Sequence, residues 1–501
     1  MRKHGLVILA AALLLVMSQL SFANGQKEAG GATVTIVMER PLWSTPDPNA
    51  PNKARIREAI KKAIGIDVQL AGQTDPADQW EKPNLMLAAG ETLDIFQVPS
   101  DPSRGRWPKY KADGLIIPLN DLLSKYGADL TKRLNPSGVK EMTDKDGKIW
   151  AVADEQPGMP LYLMVRKDWL DKAGYTVPSN PTVADFEKML QAFKTQGDEG
   201  IVPFWPESIE GWLAGAYIPT ANANYVDNDG KLKPYFTNPG YKQVLAKMRD
   251  WYAKGYINKE YYTLTYQQAT DVAWTRGKTG LFLTWKGLNP QQDEEQMRAT
   301  VPEARLVPIM PPKGDVGPAM AFNTIGSADI MITKSSKYPD VAMKFLNWSM
   351  GTDEGWLLCQ WGQENADWVW ADKPNGILKK TDAAVGTAYG HGSFASARTN
   401  FNNLKFHGSV QGKKWAAWAN DPKQFPGFNP VDLGVLYDRS TFTSKDQINS
   451  MDALRNETIA KIVMGQLPLS EWDAALAKWY TIGGNNFIDD QTTQYKAQKG
   501  K

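Results

Sequence analysis

The sequence predicts an α/β protein built on a parallel sheet, and three observations carry that expectation. Residues 33–38 (TVTIVM) read as a strand; the stretch after Asn52 sets Ile56, Ile60 and Ile64 on one helical face; residues 67–70 read as a second strand. The pattern then repeats in residues 84–100 (NLMLAAGETLDIFQVPS), where a crowded apolar helix gives way to a strand from Leu93 to Val98. Both helices stop on a glycine, Gly65 and Gly90, the residue that most easily takes the left-handed turn ending a helix. Strand, helix, strand, helix, strand in such short compass is the signature of parallel strands joined by right-handed crossovers. Ligands of such sheets sit beyond the carboxyl ends of the strands, which puts Arg40, Trp43 and Gln97 on one edge.

Further elements follow in order. Residues 110–126 give a short apolar segment and a helix, and residues 144–150 (DKDGKIW) a hairpin turn. Residues 161–165 (LYLMV) are a strand, residues 168–173 a short helix, and Thr182 with Asp185 an N-cap pair for a helix running to Phe193. The Pro- and Gly-rich residues 302–319 suit a crossing between domains, and helices close the chain over 444–464 and 469–480. No fixed-period repeat is present.

The first residues read as a secretory signal. Arg2, Lys3 and His4 precede twelve apolar residues, 6–17, and a small-x-small site ends at Ala23. That run is too short for a bilayer core of ~30 Å. Cleavage after Ala23 is expected, with a polar leader over 24–31 and a soluble, exported chain. The signal takes Arg2 and Lys3 from 57 basic residues and nothing from 55 acidic ones, which leaves the charges balanced. Balance argues against nucleic acid and anionic membranes as partners. One cysteine, Cys359, excludes an internal disulfide. The 19 Trp and 18 Tyr, many beside Gly, Pro and Asn, suit a surface that binds something amphipathic, although indoles also simply fill cores.

Motifs for chemistry mostly fail. Arg276-Gly277-Lys278-Thr279 ends like a phosphate loop, but Val272 stands where the first glycine is required. Asp144-x-Asp146-Gly147 and Asp227-x-Asp229-Gly230 resemble calcium loops, yet Met142 and Tyr225 occupy the first ligand positions, so both read as turns. Two histidines beyond the signal, His391 and His407, cannot build a zinc site with one cysteine, and no G-x-S-x-G elbow exists. Neither catalytic residues nor a metal or cofactor is expected.

Several segments together resemble the family 1 extracellular solute-binding proteins of ABC sugar importers, maltose-binding-protein-like and in their longer lipoprotein-type subgroup. They are the L-M-L-A-A-G-E-T-L-D-I-F turn, residues 114–119 (GLIIPL), residues 146–152 (DGKIWAV) leading into Tyr162-x-x-x-Arg166-Lys167-Asp168-Trp169-Leu170, residues 280–285 (GLFLTW), and residues 338–348 (YPDVAMKFLNW) with 352–355 (TDEG). The resemblance covers most of 32–370. Two departures stand out: the subgroup's lipid-bearing cysteine is missing, and residues 360–365 (QWGQEN) replace a Tyr-Gly-x-Glu-Gly segment, which puts any role of Glu364 in doubt.

The resemblance implies a two-lobe periplasmic-binding-protein fold (type II) with a hinge and an interlobe cleft. It implies lobes of 32–156 with 316–358 and of 157–315 with 359–501, the chain crossing near 153–160 and 308–321 and returning after about Cys359. A carbohydrate, an oligosaccharide, would be held in the cleft by a monomer and passed to the transmembrane subunits of an ABC permease. Trp43, Tyr162, Trp205, Trp212 and Trp285 are the stacking candidates, with Trp205 and Trp212 open between stacking and packing. Arg40, Asp94, Gln97, Glu155 and Arg398 are the polar candidates, and Asp94 is also a candidate turn cap. A secreted carbohydrate-active hydrolase or lyase, with two carboxylates ~5–10 Å apart, and a ligand-presenting protein for a chemoreceptor are the alternatives.

Overall fold

The structure is a computed structural model, and it describes residues 33–39, 51–71, 82–99, 107–154 except 135, 162–202, 208–284 except 266, 267 and 270, 294–314 except 295, 316, 328–381, 394, 405–419, 431, 432, 435, 437 and 445–499. The expected signal and leader, 1–31, lie outside these residues.

The first lobe opens as the periodicity predicts. Strand β1 (Val34–Glu39) is followed by helix α1 (Pro51–Ile64), β2 (Ile66–Leu70), α2 (Lys82–Ala89) and β3 (Ile95–Pro99). Gly65 and Gly90 close the helices at φ of +72° and +67°. Ile56 and Ile60 are fully buried under the sheet, which stabilises the helix by roughly 1.5–3 kcal/mol per side chain. Strand β4 (Val152–Asp154) is the last of this stretch.

The chain then enters the second lobe through β5 (Tyr162–Arg166). Helix α3 (Val183–Lys194) starts on a reciprocal cap: Asp185 N donates to Thr182 Oγ1 at 3.2 Å, and Thr182 N donates to the Asp185 carboxylate at 3.0 Å. Helices α4 (Ser208–Leu213) and α5 (Tyr241–Ala253) and strands β6 (Leu281–Thr284) and β7 (Leu306–Ile309) complete a three-stranded antiparallel sheet in the order β6-β5-β7.

From there the chain returns to the first sheet as β8 (Ala328–Ile332), then α6 (Pro339–Gly351) and α7 (Asp353–Trp361). The first sheet has the order β2-β1-β3-β8-β4; β1, β2 and β3 are parallel, and β8 runs against both neighbours. The sheet is therefore mixed rather than parallel throughout. Its two faces bury separate cores, one with Ile36, Ile56 and Ile330, the other with Phe96, Trp107 and Met331.

β7 belongs to the second sheet and Lys313 bridges to Thr182, so the second lobe runs to at least residue 313, within the stretch 308–321 where the return is expected. The crossing expected after Cys359 falls elsewhere. The first lobe continues past residue 359. Cys359 is buried in its core, and the hairpin of β9 (Trp368–Asp372) and β10 (Ile377–Lys380) packs there. Asp367 holds Arg55 of α1 through two bonds of 2.9 and 2.6 Å, which keeps this hairpin on the first lobe. Helix α8 (Val410–Ala419) then spans the two: Lys413 Nζ donates to the Asn375 carbonyl at 2.5 Å, while Trp415 sits in the second core. Helices α9 (Lys445–Val463), α10 (Glu471–Trp479) and α11 (Asn485–Lys499) end the chain, the first two against α5 and the second core. No helix among the described residues is long and apolar enough to cross a membrane.

Candidate functional site

Strand direction defines the site. β1, β3 and β4 all end at one edge of the first sheet, where Pro99, Ala328 and Asp154 lie side by side in register. In the second sheet, Tyr162 at the start of β5 pairs with Thr284 at the end of β6. Residues 155–161 join Asp154 to Tyr162, and a connection of that length spans at most about 28 Å. The two sheet edges are therefore held close by the chain itself. Arg40 follows β1, Glu155 follows β4, and Trp285 follows β6. Val202 bridges in parallel to Phe282 of β6, so the chain at Val202 runs toward the same edge, and Trp205 follows it in sequence.

Of the ten residues chosen from sequence, Arg40, Trp43, Glu155, Trp205, Trp285 and Arg398 lie outside the described residues, as does the side chain of Tyr162. Gln97 is in β3 opposite Ile330, close to the strand's end and only 7% exposed. Its side-chain Oε1 is buried without a hydrogen-bond partner. An amide oxygen in that state costs about 1–3 kcal/mol, which a donor on a ligand would recover.

Two choices take structural roles. Asp94 stands at the opposite end of β3 from the edge. Its Oδ2 accepts from Val37 N at 2.8 Å and its Oδ1 from Ser336, so both oxygens tie β3 to β1 and to the turn after β8. The capping reading holds there. Trp212 is 1% exposed and packed between Phe186 and Trp251, with ring centroids 5.6 and 6.0 Å away. It fills the second core rather than facing a ligand.

The two Asp-x-Asp-Gly stretches are turns. Asp144 Oδ1 accepts from Asp146 N and Lys148 N, each at 2.9 Å, and Gly147 has φ of +76°. In the other, Lys233 lies 2.7 and 2.8 Å from the carboxylates of Asp227 and Asp229. Among the described residues no cluster of His, Cys, Asp or Glu could hold a metal.

Four buried charged residues matter inside the second lobe. Arg166 and Asp168 are both buried and bonded at 2.9 and 2.6 Å; burial would raise the Asp168 carboxyl, but the guanidinium outweighs it and holds it low. Glu210, fully buried, accepts from Arg455 of α9, from Tyr235 at 2.8 Å and from Tyr241. Asp198 is 5% exposed and pushed up to about 6 by burial, against the opposing Gly280 N–H at 3.0 Å. No sequence pattern marks Asp198, the first of two acids in a Gly-Asp-Glu-Gly turn.

A groove of about 840 Å³ is lined by Lys194, Glu199, Asn258, Lys259, Asp271 and Arg276, among others. It lies by Asp198 and the start of β6, and no aromatic residue is among its described lining residues. It is not the edge where the candidate residues gather.

Known proteins can now be set beside this geometry. The family model described as bacterial extracellular solute-binding protein matches residues 46–355. Lipoprotein LipO of Bacillus subtilis is 23% identical over 522 residues, which take in 100% of this chain and 99% of LipO. The fructooligosaccharide ABC transporter substrate-binding protein FusA of Streptococcus pneumoniae is 29% identical over 264 residues, 48% of this chain and 47% of FusA. Among solved structures, alginate-binding protein AlgQ2 matches with a TM-score of 0.67 at 17% identity, covering 94% of this chain and 100% of AlgQ2. An HMO-binding solute-binding protein from Bifidobacterium longum infantis gives 0.68 at 17% identity, covering 93% and 99%. These likenesses establish the two-lobe α/β fold. With the matched stretch running from before α1 into α7 and through both sheets, the chain belongs to the bacterial extracellular solute-binding proteins.

Proposed function

We propose that this protein is the exported substrate-binding component of an ABC importer. It captures an oligosaccharide between the two sheet edges and, as a monomer, delivers it unchanged to a membrane permease. The observation that carries this reading is the family match, joined to the short link that keeps the two edges together. The ligands named for similar proteins supply the class: fructooligosaccharide for FusA, polygalacturonan and rhamnogalacturonan for YtcQ of Bacillus subtilis, and Man5GlcNAc in a structure of NgtS from Streptococcus pneumoniae.

Trp43, Tyr162, Trp205 and Trp285 stack on the C–H faces of the sugar rings. Arg40, Gln97, Glu155 and Arg398 bind the hydroxyl rim, with Gln97 Oε1 as acceptor for one hydroxyl. The lobes hinge where the chain crosses between them, near 153–160 and 308–321, and sugar touching both edges shifts an open–closed equilibrium toward the form that docks on the permease. Residues 1–23 are the cleaved export signal.

The test is tryptophan fluorescence with thermal shift across mono- and oligosaccharides, uronic ones included. A saturable shift, with the sugar recovered intact, is the expected result; a cleaved sugar would sink the capture reading in favour of a hydrolase or lyase. Trp285→Ala should weaken binding roughly tenfold or more, through the lost ring contact, without altering the unfolding transition. Gln97→Leu, which cannot accept a hydroxyl, should weaken it about 5- to 100-fold.

A further inference from the structure

The Asp198 carboxyl is buried at a junction where three segments meet. Its Oδ1 accepts from Gly280 N at 3.0 Å, just before β6, while its Oδ2 is buried without a partner. Residues 199–202 are stitched down on both sides. Glu199 N donates to the Lys278 carbonyl at 2.9 Å, and Ile201 N donates to the Tyr256 carbonyl at 2.8 Å. Thr279, also buried, donates to the Gly200 carbonyl at 2.9 Å. Gly200 cannot change, since a Cβ there would stand 2.7 Å from the backbone of Ile257 and Asn258. Asp198 is thus the side chain that sets residues 199–202 and β6 against each other at their starts. Their far ends lead directly into residues 203–207 and Trp285.

We propose that Asp198 is a proton-linked positioning residue for the binding edge: neutral, it clamps the two strands that lead to Trp205 and Trp285, and ionised, it loosens them. The proposal rests on the reading of that edge as the sugar site and adds its regulation. The charges around the carboxyl come from each packed segment. Lys194 of α3 donates to the Asp198 carbonyl at 3.0 Å, and its positive charge favours ionisation. Glu199 follows it along the chain, Lys278 stands two residues before Gly280 on the segment leading into β6, and Lys259 and Glu260 line the groove from the far side. Arg166 reaches Gly277 at 2.8 Å but is held by Asp168. The Gly200 N–H and the Thr279 hydroxyl also favour the carboxylate, but no cation reaches its unpartnered oxygen directly and burial outweighs them. Burial keeps the proton on to about pH 6.

The experiment is hydrogen–deuterium exchange read by mass spectrometry on the whole protein, at about pH 4.5 and about pH 7.5, corrected for intrinsic exchange. Peptides covering 199–202 and 281–284 should exchange roughly tenfold faster at the higher pH in the wild type, the factor set by a carboxyl that must ionise while buried. In Asp198→Asn, which keeps the acceptor for Gly280 N–H, that difference should vanish. In Lys194→Met the change should move to higher pH, because the cation favouring ionisation is gone. If Asp198→Asn keeps the wild-type pH dependence, the proposal is overturned. It is equally overturned if peptides 199–202 and 281–284 show no pH dependence beyond that of the rest of the lobe, since Asp198 would then govern stability alone. No sugar enters this measurement, so an empty sugar screen would count against the capture reading and leave this result readable.

Discussion

The two lobes are held together by different physics. The first is a layered sheet with isoleucines, Ile36, Ile56, Ile60, Ile330 and Ile332, on one face and Phe96, Trp107 and Tyr110 on the other; its buried carboxylates Asp94 and Asp329 accept from backbone N–H groups, and its ion pairs Arg57–Asp67 and Lys109–Asp113 keep solvent contact. The second has a smaller sheet and a core of rings. Trp212 lies between Phe186 and Trp251, Trp169 meets Phe193 at 6.0 Å, and Tyr241 meets Trp472 at 5.0 Å. It also buries Arg166–Asp168, Glu210–Arg455 and Asp198. Apolar faces tolerate repacking as long as volume and pattern are kept. Buried charges do not, because each demands its partners in place.

The largest test of that contrast is Glu210→Ala. It leaves the Arg455 guanidinium and the hydroxyls of Tyr235 and Tyr241 facing an empty acceptor position, and should cost about 3–5 kcal/mol. Urea unfolding followed by fluorescence would show it, and a loss under ~1 kcal/mol would mean the network is dispensable. Asp198→Asn comes next and has the opposite sign. The carboxyl ordinarily titrates at 3.8 and in the fold at about 6. The folded state therefore holds its proton longer, and wild-type stability falls as pH rises from about 4 to about 6. At neutral pH the variant should gain up to about 3 kcal/mol over the wild type, a gain that vanishes below about pH 4; a variant less stable at both pH values would contradict the assignment. Ile60→Val, a methyl removed from the first core, should cost roughly 0.5–1.5 kcal/mol. Asp113→Asn, at the exposed partner of Lys109, should change stability by at most about 0.5 kcal/mol and not at all in high salt.

The same contrast explains what the sequence made legible. In the first lobe the isoleucines of α1, Gly65, Gly90 and the Leu93 strand all follow local rules, and the structure keeps them within a residue or two. The antiparallel placement of β8 between β3 and β4 did not, because strand order is decided by partners far away in the chain. The return near residue 359 was read too early because the Asp367–Arg55 pair joins residues with no shared pattern. At the site, Gln97 was legible as a strand-end polar group, while Asp94 and Trp212 looked like ligand contacts and serve the fold. Local sequence shows that a tryptophan beside Gly and Pro is unusual, but not which side of a sheet closes over it.

The central position of β8 has a consequence for how this molecule is made. Strands β1 to β3 are complete by residue 99, yet β4 pairs only with β8 among the described strands, and β8 begins at residue 328. A chain emerging from its amino end must extrude the entire second-lobe sheet before its first sheet can close. Until then β3 exposes a bare edge that could pair with another chain. The long-range contact makes closure of the first sheet slow relative to the more local pairing of β1 with β2, where Val34 meets Ile66. The first sheet is thus completed only after the second-lobe sheet has been made.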